Sequence, residues 1–371
     1  MIIKSVLSSN IAWLQIFMRL ILSLFVIFIQ AFFNCRTLIR STFCWIQKKL
    51  MMTGPNETPF IDSLLQAYPT LKVANKTLVE AKLNAMTQGG HDKLQLIVDF
   101  DNTLTRHHKN GKLIDCSWAV MENSPLLPKD YNDKTHALRA KYLPIETSAD
   151  LTIEEKIPHM IEWYTSANKL LQETDINKNM FGKFVKTSNV EFRDHTKLML
   201  DSLNKSNVPV LVLSAGLGDI LVEVMEAFQV YHRSNTKVVS NFLAYDDSGR
   251  VIGCKGDMIH VYNKNESACG DPEYYKLLQG RNNVMLMGDS IGDLQMADGV
   301  EKDSNVLKIG FLNNPATAEK RLPSFLEGYD IVLYDDQTMD VPIHILKQVQ
   351  GIASFEWSFF LKIAFNHVFL L

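Results

Sequence analysis

The sequence predicts an α/β fold built on a parallel sheet, with a helical domain inserted into it. Three short apolar runs, each followed by small, hydroxyl or acidic side chains, are the first observation: Leu94 to Val98, Val208 to Leu213 and Val284 to Met287. These runs show no polar alternation, as is typical of central strands buried on both faces. The first two runs are separated by about 110 residues, which is a domain rather than a loop.

Composition allows one large core with an added domain. The chain has 371 residues, of which 46% are hydrophobic and 21% are charged. Its 38 basic and 41 acidic residues give a net charge of −3, so no nucleic-acid partner is expected. The five cysteines are odd in number and form no C-x-x-C pair, which indicates reduced thiols rather than a disulfide or zinc framework.

The first apolar run ends in two acids, Asp99 and Asp101. Open α/β sheets bind ligands at the carboxyl ends of their strands. There one carboxylate can attack phosphorus and form an aspartyl phosphate, while the other transfers protons to the leaving oxygen and from water. The alternative is a strand followed by an Asx-capped turn.

The other two runs add phosphate- and metal-binding groups. Ser214 and Ala215 precede an amphipathic helix pattern beginning near Ile220, and backbone amides at a helix start bind phosphate. Asp289 and Asp293 follow the third run, and two acids of this kind suit Mg²⁺. Between the second and third runs, Lys264 offers a point charge for phosphate, the alternative being a solvated surface lysine.

These motifs together resemble those of a known superfamily. D-F-D-N-T, S-A-G, the lysine and G-D-S-x-G-D occur in the order found in the haloacid dehalogenase superfamily. From about Leu71 to Leu346 the chain resembles the cytosolic 5′-nucleotidase III family, also called pyrimidine 5′-nucleotidases. The segment from Tyr262 to Cys269 is most similar to the branch that acts on 7-methylguanosine monophosphate. The resemblance implies a Rossmann-like haloacid dehalogenase core with a parallel sheet and an inserted helical cap.

The resemblance also implies roles for individual residues. Asp99 would be the nucleophile and Asp101 the general acid and base. Mg²⁺ would be held by Asp99, the main-chain carbonyl of Asp101, and Asp289. Asp293 would orient Lys264 or a metal-bound water, or would cap the start of a helix. The phosphoryl oxygens would be bound by three groups: Ser214, the Ala215 amide and Lys264.

The inserted segment would select the substrate. Glu146 matches the family position that accepts hydrogen bonds from the nucleobase, and its alternative is a solvated loop acid. Trp118 falls where the family presents an aromatic ring to the base, and a positively charged 7-methylguanine would be attracted to that ring. The chain departs from the family at Ala167, where a serine is expected beside the methylated base, and substitution by the neighbouring Ser166 is left open.

The resemblance and the local composition predict the domain organisation. An apolar N-terminal segment, 1–50, contains Ile11 to Phe33, which is about long enough to span a bilayer. Positive charges after this stretch would keep the catalytic domain cytoplasmic, whereas Arg19 within it argues against a span. The remaining parts are a linker (51–57), a core (58–116 and 205–350), a helical cap (117–204) and an apolar tail of unknown role (351–371).

The sequence therefore predicts a Mg²⁺-dependent 5′-nucleotidase with phosphotransfer as a side activity. Nucleoside monophosphates would be its substrates, with CMP, UMP and 7-methyl-GMP leading. One alternative is a phosphatase of another small phosphomonoester. A second is a membrane-tethered nucleotide-binding protein with a degenerate catalytic centre. The oligomeric state is left open.

Overall fold

The computed structural model describes residues 58–148, 150–264 and 272–351. Within them, one sheet is formed by Leu71–Val73 (β1), Leu94–Val98 (β2), Val210–Leu217 (β5), Thr236–Asn241 (β6), Asn283–Gly288 (β9), Asn305–Leu312 (β10) and Ile331–Tyr334 (β11). Two hairpins pair His108–Lys109 (β3) with Lys112–Leu113 (β4) and Leu243–Tyr245 (β7) with Val251–Cys254 (β8). The sheet order is β1-β11-β10-β9-β2-β5-β6, in which β1 is antiparallel to β11 and the other pairs are parallel. The predicted α/β fold with a parallel sheet is confirmed.

Strand β2 lies at the centre of this arrangement, between β5 and β9. All of its residues are buried, including the one polar side chain, Gln95, as is typical of a central strand. Val98 is in register with Val212 on one side and with Met287 on the other. The residues that follow these three strands are therefore brought to one edge of the sheet.

The helices lie between and around the strands. Their bounds are Phe60–Ala67 (α1), Lys76–Gly89 (α2), Ala119–Glu122 (α3), Lys129–Glu146 (α4), Ile153–Glu173 (α5), Phe181–Thr187 (α6), Thr196–Lys205 (α7), Gly218–Ala227 (α8), Pro272–Leu278 (α9), Pro315–Gly328 (α10) and Asp340–Val349 (α11). A 3₁₀ helix spans Ile291–Ala297. The segment between β4 and β5 is thus mainly helical.

Helix α5 shows how the sequence specifies this segment. Its start is a capping box, in which the Thr152 hydroxyl accepts from the Glu155 N–H at 3.2 Å and the Glu155 carboxylate accepts from the Thr152 N–H at 2.8 Å. Its buried residues include Met160, Tyr164 and Ala167, at the spacing of one helix face. Apolar positions recur every three or four residues from Thr152 to Leu171, which is the periodicity of an amphipathic helix, and α5 spans this stretch.

Strand β5 differs from its predicted extent. The apolar run begins at Val208, but the Val208 N–H bonds the Leu203 carbonyl and closes the turn after α7, so the strand starts at Val210. Beyond Leu213 the register with β6 shifts, and pairing resumes only where Leu217 meets Asn241. The residues between Leu213 and Leu217 remain extended but do not pair with β6, and they include Ser214 and Ala215.

Several expectations fall outside the described residues. These are the apolar segment 1–50, the linker 51–57 and all but the first residue of the tail 351–371. Among the helices that the structure describes, none is both long and apolar enough to cross a bilayer.

Candidate active site

The carboxyl edge of the sheet collects most of the predicted site residues. Asp99 and Asp101 follow β2, Ser214 and Ala215 lie near the end of β5, and Asp289 follows β9. The loop that leads to Lys264 and the 3₁₀ helix after β9 add two further groups: Lys264 and Asp293.

Lys264 joins the acids from the first and third motifs. Its Nζ lies 2.7 Å from Asp99 Oδ1 and 2.5 Å from Asp293 Oδ1. Lys264 is only 3% exposed and Asp293 is fully buried, at 0%. Lys264 is therefore a buried, doubly paired cation rather than the solvated surface lysine considered as the alternative.

Asp293 also caps the turn that follows β9. Its Oδ2 accepts hydrogen bonds from the N–H groups of Asp289 and Ser290 at 3.1 and 2.8 Å, and from the Ser290 hydroxyl at 2.9 Å. A Cβ at Gly288 would come within 2.4 Å of the Asp293 Cβ, so this close approach requires glycine. Asp293 thus contacts Lys264 through one carboxylate oxygen and caps the turn after β9 through the other.

The acids outnumber the cation that pairs with them. Carboxylate oxygens of Asp99, Asp289 and Asp293 lie within 4.8 Å of one another. When all are ionised, three negative charges and Lys264 leave an excess of two negative charges. Burial raises the pKa of Asp99 to about 7, although the Lys264 charge opposes this rise. Burial, then the charges of Asp99 and Asp293, also raise the pKa of Asp289 well above its ordinary value.

This donor set fits a divalent cation. Hard oxygen ligands and a local excess of two negative charges match the preferences of Mg²⁺. Asp293 uses one carboxylate oxygen to contact Lys264 and the other to cap the turn. Asp99 Oδ2 and the Asp289 carboxylate accept no hydrogen bond from the residues that the structure describes. Asp99 and Asp289 are thus the side chains best placed to hold the metal.

Asp101 is held by a residue that the sequence did not single out. The Ser117 N–H donates to Asp101 Oδ1 at 2.7 Å, and the Ser117 hydroxyl donates to Oδ2 at 2.6 Å. Burial raises the pKa of Asp101, and these two hydrogen bonds oppose the rise. No periodicity or motif marks Ser117; its position directly before Trp118 is the only signal that the sequence offers.

The stretch at the end of β5 is fixed by hydrogen bonds with several side chains. Ser214 is almost fully buried, and its Oγ accepts from the Gly216 N–H at 3.0 Å. The Ala215 carbonyl accepts from the Trp118 indole N–H at 3.1 Å and from the Asn241 amide at 3.0 Å. With its carbonyl fixed by these bonds, the Ala215 peptide lies in the stretch where β5 leaves its ladder with β6.

Arg193 fixes the loop that follows the first two acids. It is 1% exposed, its Nε donates to the Thr103 carbonyl at 2.7 Å, and its Nη2 donates to Asn313 at 2.7 Å. It also bonds the carbonyl of Asn102, whose φ of +61° is in the left-handed region that asparagine tolerates. Arg193 has no counterpart in the sequence prediction, which gave no reason to look beyond the four motifs.

The helical segment between β4 and β5 contributes Glu146 and several aromatic side chains. Glu146 ends α4, and its carbonyl accepts from the Tyr262 hydroxyl at 3.2 Å. Burial raises the pKa of the Glu146 carboxyl, while Lys264 lowers it. The Trp118 and Tyr164 rings meet edge to face at 5.9 Å, whereas Trp163 stacks on Tyr142 at 5.8 Å instead.

Comparison with protein families gives one match that covers most of the chain. Residues 102–350 match the family model described as pyrimidine 5′-nucleotidase (UMPH-1). The matched range starts immediately after Asp101. It includes Ser214, Ala215, Lys264 and the acids that follow β9.

The chain aligns with several curated relatives over most of their length. The chain is 40% identical over 294 residues to the 7-methylguanosine phosphate-specific 5′-nucleotidase of Homo sapiens, covering 79% of this chain and 96% of the relative. It is 41% identical over 280 residues to 7-methylguanosine phosphate-specific 5′-nucleotidase A of Xenopus laevis, covering 76% and 96%. A putative cytosolic 5′-nucleotidase 3 of Caenorhabditis elegans is 34% identical over 286 residues, 76% of each chain.

A solved structure supports the same assignment. The chain superimposes on cytosolic 5′-nucleotidase IIIB bound to cytidine with a TM-score of 0.69 and 34% identity. The superposition covers 80% of this chain and 98% of the other.

Proposed function

The chain belongs to the pyrimidine 5′-nucleotidase (UMPH-1) family, and we propose that it hydrolyses nucleoside 5′-monophosphates through a phosphorylated Asp99 with the help of Mg²⁺. The observation that carries this proposal is the buried Lys264, which contacts Asp99 and Asp293 at the edge where three carboxylates converge. A lysine in this position neutralises both an attacking carboxylate and an incoming phosphate.

Two carboxylates divide the chemistry. Asp99 attacks phosphorus, so that a bond forms between its oxygen and phosphorus while the bond from phosphorus to the ribose O5′ breaks. Asp101 gives its proton to O5′, which leaves as the nucleoside hydroxyl. Asp101 then takes a proton from a water molecule that attacks phosphorus, and inorganic phosphate departs while Asp99 is regenerated.

Three groups bind the phosphoryl oxygens in this proposal. Lys264 supplies charge, while the Ser214 hydroxyl and the Ala215 amide supply hydrogen bonds as charge redistributes in the transition state. Their support is that all three are buried at the carboxyl edge of the sheet. Fixed donors of this kind need no reorganisation during the reaction.

Mg²⁺ would be held by Asp99, Asp289 and the main-chain carbonyl of Asp101. When bound, it offsets the repulsion between the phosphate dianion and the attacking carboxylate. Asp293 would act beside the metal by orienting Lys264.

The proposed substrates are CMP, UMP and 7-methyl-GMP. Two supports are the names of the relatives, which include 7-methylguanosine phosphate-specific enzymes, and the cytidine in the related solved structure. Glu146 would accept hydrogen bonds from the base, and Trp118 would present its ring. The Tyr262 hydroxyl donates to the Glu146 carbonyl at 3.2 Å, which joins the end of α4 to the loop that carries Lys264 two residues later.

The domain organisation completes the proposal. The core would comprise 58–116 and 205–350, and the cap would comprise 117–204. The names of two relatives as cytosolic enzymes support a cytoplasmic catalytic domain. The segment 1–50 would provide any membrane contact.

A substrate panel tests this function. The full chain is incubated with Mg²⁺ and CMP, UMP, 7-methyl-GMP, AMP, GMP or a sugar phosphate, and phosphate release is measured. Preference for the first three substrates is expected, with Asp99→Asn inactive. A preference for the sugar phosphate would keep the fold and overturn the nucleotidase assignment, and normal turnover by Asp99→Asn would exclude the covalent route.

A further inference from the structure

Ser117 makes two hydrogen bonds to Asp101, one to each carboxylate oxygen. Its N–H reaches Oδ1 at 2.7 Å and its hydroxyl reaches Oδ2 at 2.6 Å. Ser117 itself is fully buried, at 0% exposure. Two donors from one residue fix the plane of the carboxyl group as well as its position.

The direction of the Ser117 hydroxyl is set by a third contact. The Leu217 N–H lies 3.3 Å from Ser117 Oγ and donates to it, which leaves the hydroxyl hydrogen free to point at Asp101. A Cβ at Gly216 would lie 1.9 Å from Ser117 Oγ, so the glycine of the S-A-G motif makes room for this serine. The stretch from Ser214 to Leu217, which we call the phosphate turn, is thereby connected to Asp101 through one side chain.

The next residue anchors the same segment to the same turn. Trp118 donates its indole N–H to the Ala215 carbonyl at 3.1 Å. Ser117 and Trp118 therefore bind Asp101 and the phosphate turn together, at the point where the chain enters the helical segment. A shift of that segment would change the orientation of Asp101.

We propose that Ser117 is a positioning residue that orients Asp101 for proton transfer to the leaving oxygen. This inference rests on the proposed function of Asp101 as general acid. In the acid form, one carboxyl oxygen of Asp101 carries the proton while the two Ser117 donors hold the group in place. That proton passes to the leaving oxygen as its bond to phosphorus breaks, and Asp101 is left as a carboxylate bound by both Ser117 donors.

The test uses two aryl phosphates of similar size but different leaving groups. Phenolate is a poor leaving group that depends on a proton donor, whereas p-nitrophenolate leaves with little assistance. We expect Ser117→Ala to lower kcat/KM for phenyl phosphate and CMP by about tenfold or more, since correctly placed general acids contribute about 10²- to 10⁴-fold. For p-nitrophenyl phosphate the loss should be less than about threefold, because little of its barrier depends on protonation.

The matched control is Ser240→Ala. Ser240 is a nearly buried serine whose hydroxyl donates to the Gly216 carbonyl at 2.9 Å, on the same turn but without contact to Asp101. It should change kcat/KM for both aryl phosphates by equal factors. Ser117→Cys keeps the backbone donor and a weak side-chain donor, so its kcat/KM for phenyl phosphate should lie between those of Ser117→Ala and the wild type. If the alanine variant fails to fold, the cysteine variant provides the test.

Equal losses on the two aryl phosphates in Ser117→Ala, or no loss on either, would overturn the positioning role. The result is separable from the substrate proposal. Wild-type enzyme that prefers aryl phosphates to every nucleotide would refute the nucleotidase proposal, while the ratio between the two aryl phosphates would still report on Ser117.

Discussion

Lys264 Nζ lies 2.5 Å from Asp293 Oδ1, and both side chains are buried. Burial alone would lower the pKa of Lys264, but the charges of Asp293 and Asp99 and their hydrogen bonds raise it overall. The lysine is consequently a permanent cation at physiological pH. Asp293 holds this cation against Asp99 while its second oxygen organises the turn after β9.

The first prediction concerns this cation. Lys264→Met should lower kcat by about 100-fold or more, because fixed charges on a transferring phosphoryl group contribute on this scale. Steady-state kinetics with CMP measure the effect. Lys320→Met is the control, since Lys320 is exposed and pairs with Asp150 at 3.3 Å. A wild-type kcat in Lys264→Met would contradict the assigned role.

The second prediction concerns the metal. Asp289 has a raised pKa because of burial and its acidic neighbours, so a divalent cation should relieve that repulsion. The thermal unfolding midpoint of the wild type should rise with MgCl₂. At a Mg²⁺ concentration of a hundred times Kd, the free energy of unfolding should increase by about 2.7 kcal/mol.

Asp289→Asn should require at least about tenfold more Mg²⁺ for the same shift in midpoint, because it removes one charged oxygen ligand. Asp298→Asn changes an exposed acid just beyond the 3₁₀ helix and should behave as the wild type. Chelation should abolish phosphate release and added Mg²⁺ should restore it. Full activity after chelation would refute the metal requirement.

The third prediction concerns the departure from the family at Ala167. Ala167 is buried on α5, one turn after Tyr164, whose ring meets Trp118. Ala167→Ser should raise kcat/KM for 7-methyl-GMP relative to CMP by about two- to tenfold, which corresponds to one hydrogen bond of about 0.5 to 1.5 kcal/mol. Ser166→Ala should leave that ratio unchanged. An unchanged ratio in Ala167→Ser would show that a serine there does not reach the base.

The sequence predicted which residues meet at one edge of the sheet, because the rule behind that grouping is geometric. Parallel strands bring the residues that follow them to one edge, so Asp99, Ser214 and Asp289 could be grouped from their positions after apolar runs. The extended stretch beyond Leu213 could not be predicted in the same way. It depends on where pairing with β6 resumes at Asn241, which no local pattern encodes.

The contacts that hold the acids were missed for a related reason. Ser117 reaches Asp101 across 16 residues, and Arg193 reaches Asn313 across 120. Such contacts depend on side-chain rotamers and on how a turn enters the core, not on periodicity. A serine or an arginine in a polar stretch is ordinarily solvated, so neither residue stood out from its neighbours.

The fourth prediction concerns a buried acid away from the catalytic edge. Glu122, at the end of α3, is 5% exposed, and the nearest cation is Arg139, whose Nη1 lies 3.8 Å from Oε2. Among the described residues Oε2 has no hydrogen-bond partner. Burial raises the pKa of Glu122 to about 7, although Arg139 opposes the rise.

The sign of the stability effect follows from this raised pKa. Between pH 4.5, the ordinary pKa of a glutamate, and about pH 7, the folded state retains a proton that the unfolded state has lost. The contribution of Glu122 to the free energy of unfolding therefore falls as pH rises through this window and is constant above it. Glu122→Gln should become more stable than the wild type as pH rises from 4.5 to 7, by at most about 3.5 kcal/mol at about 1.4 kcal/mol per pKa unit. Urea unfolding at a series of pH values measures the difference. Glu154→Gln, which alters an exposed acid in the first turn of α5, should show no comparable slope, and a pH-independent difference for Glu122→Gln would mean that the buried carboxyl is ionised throughout.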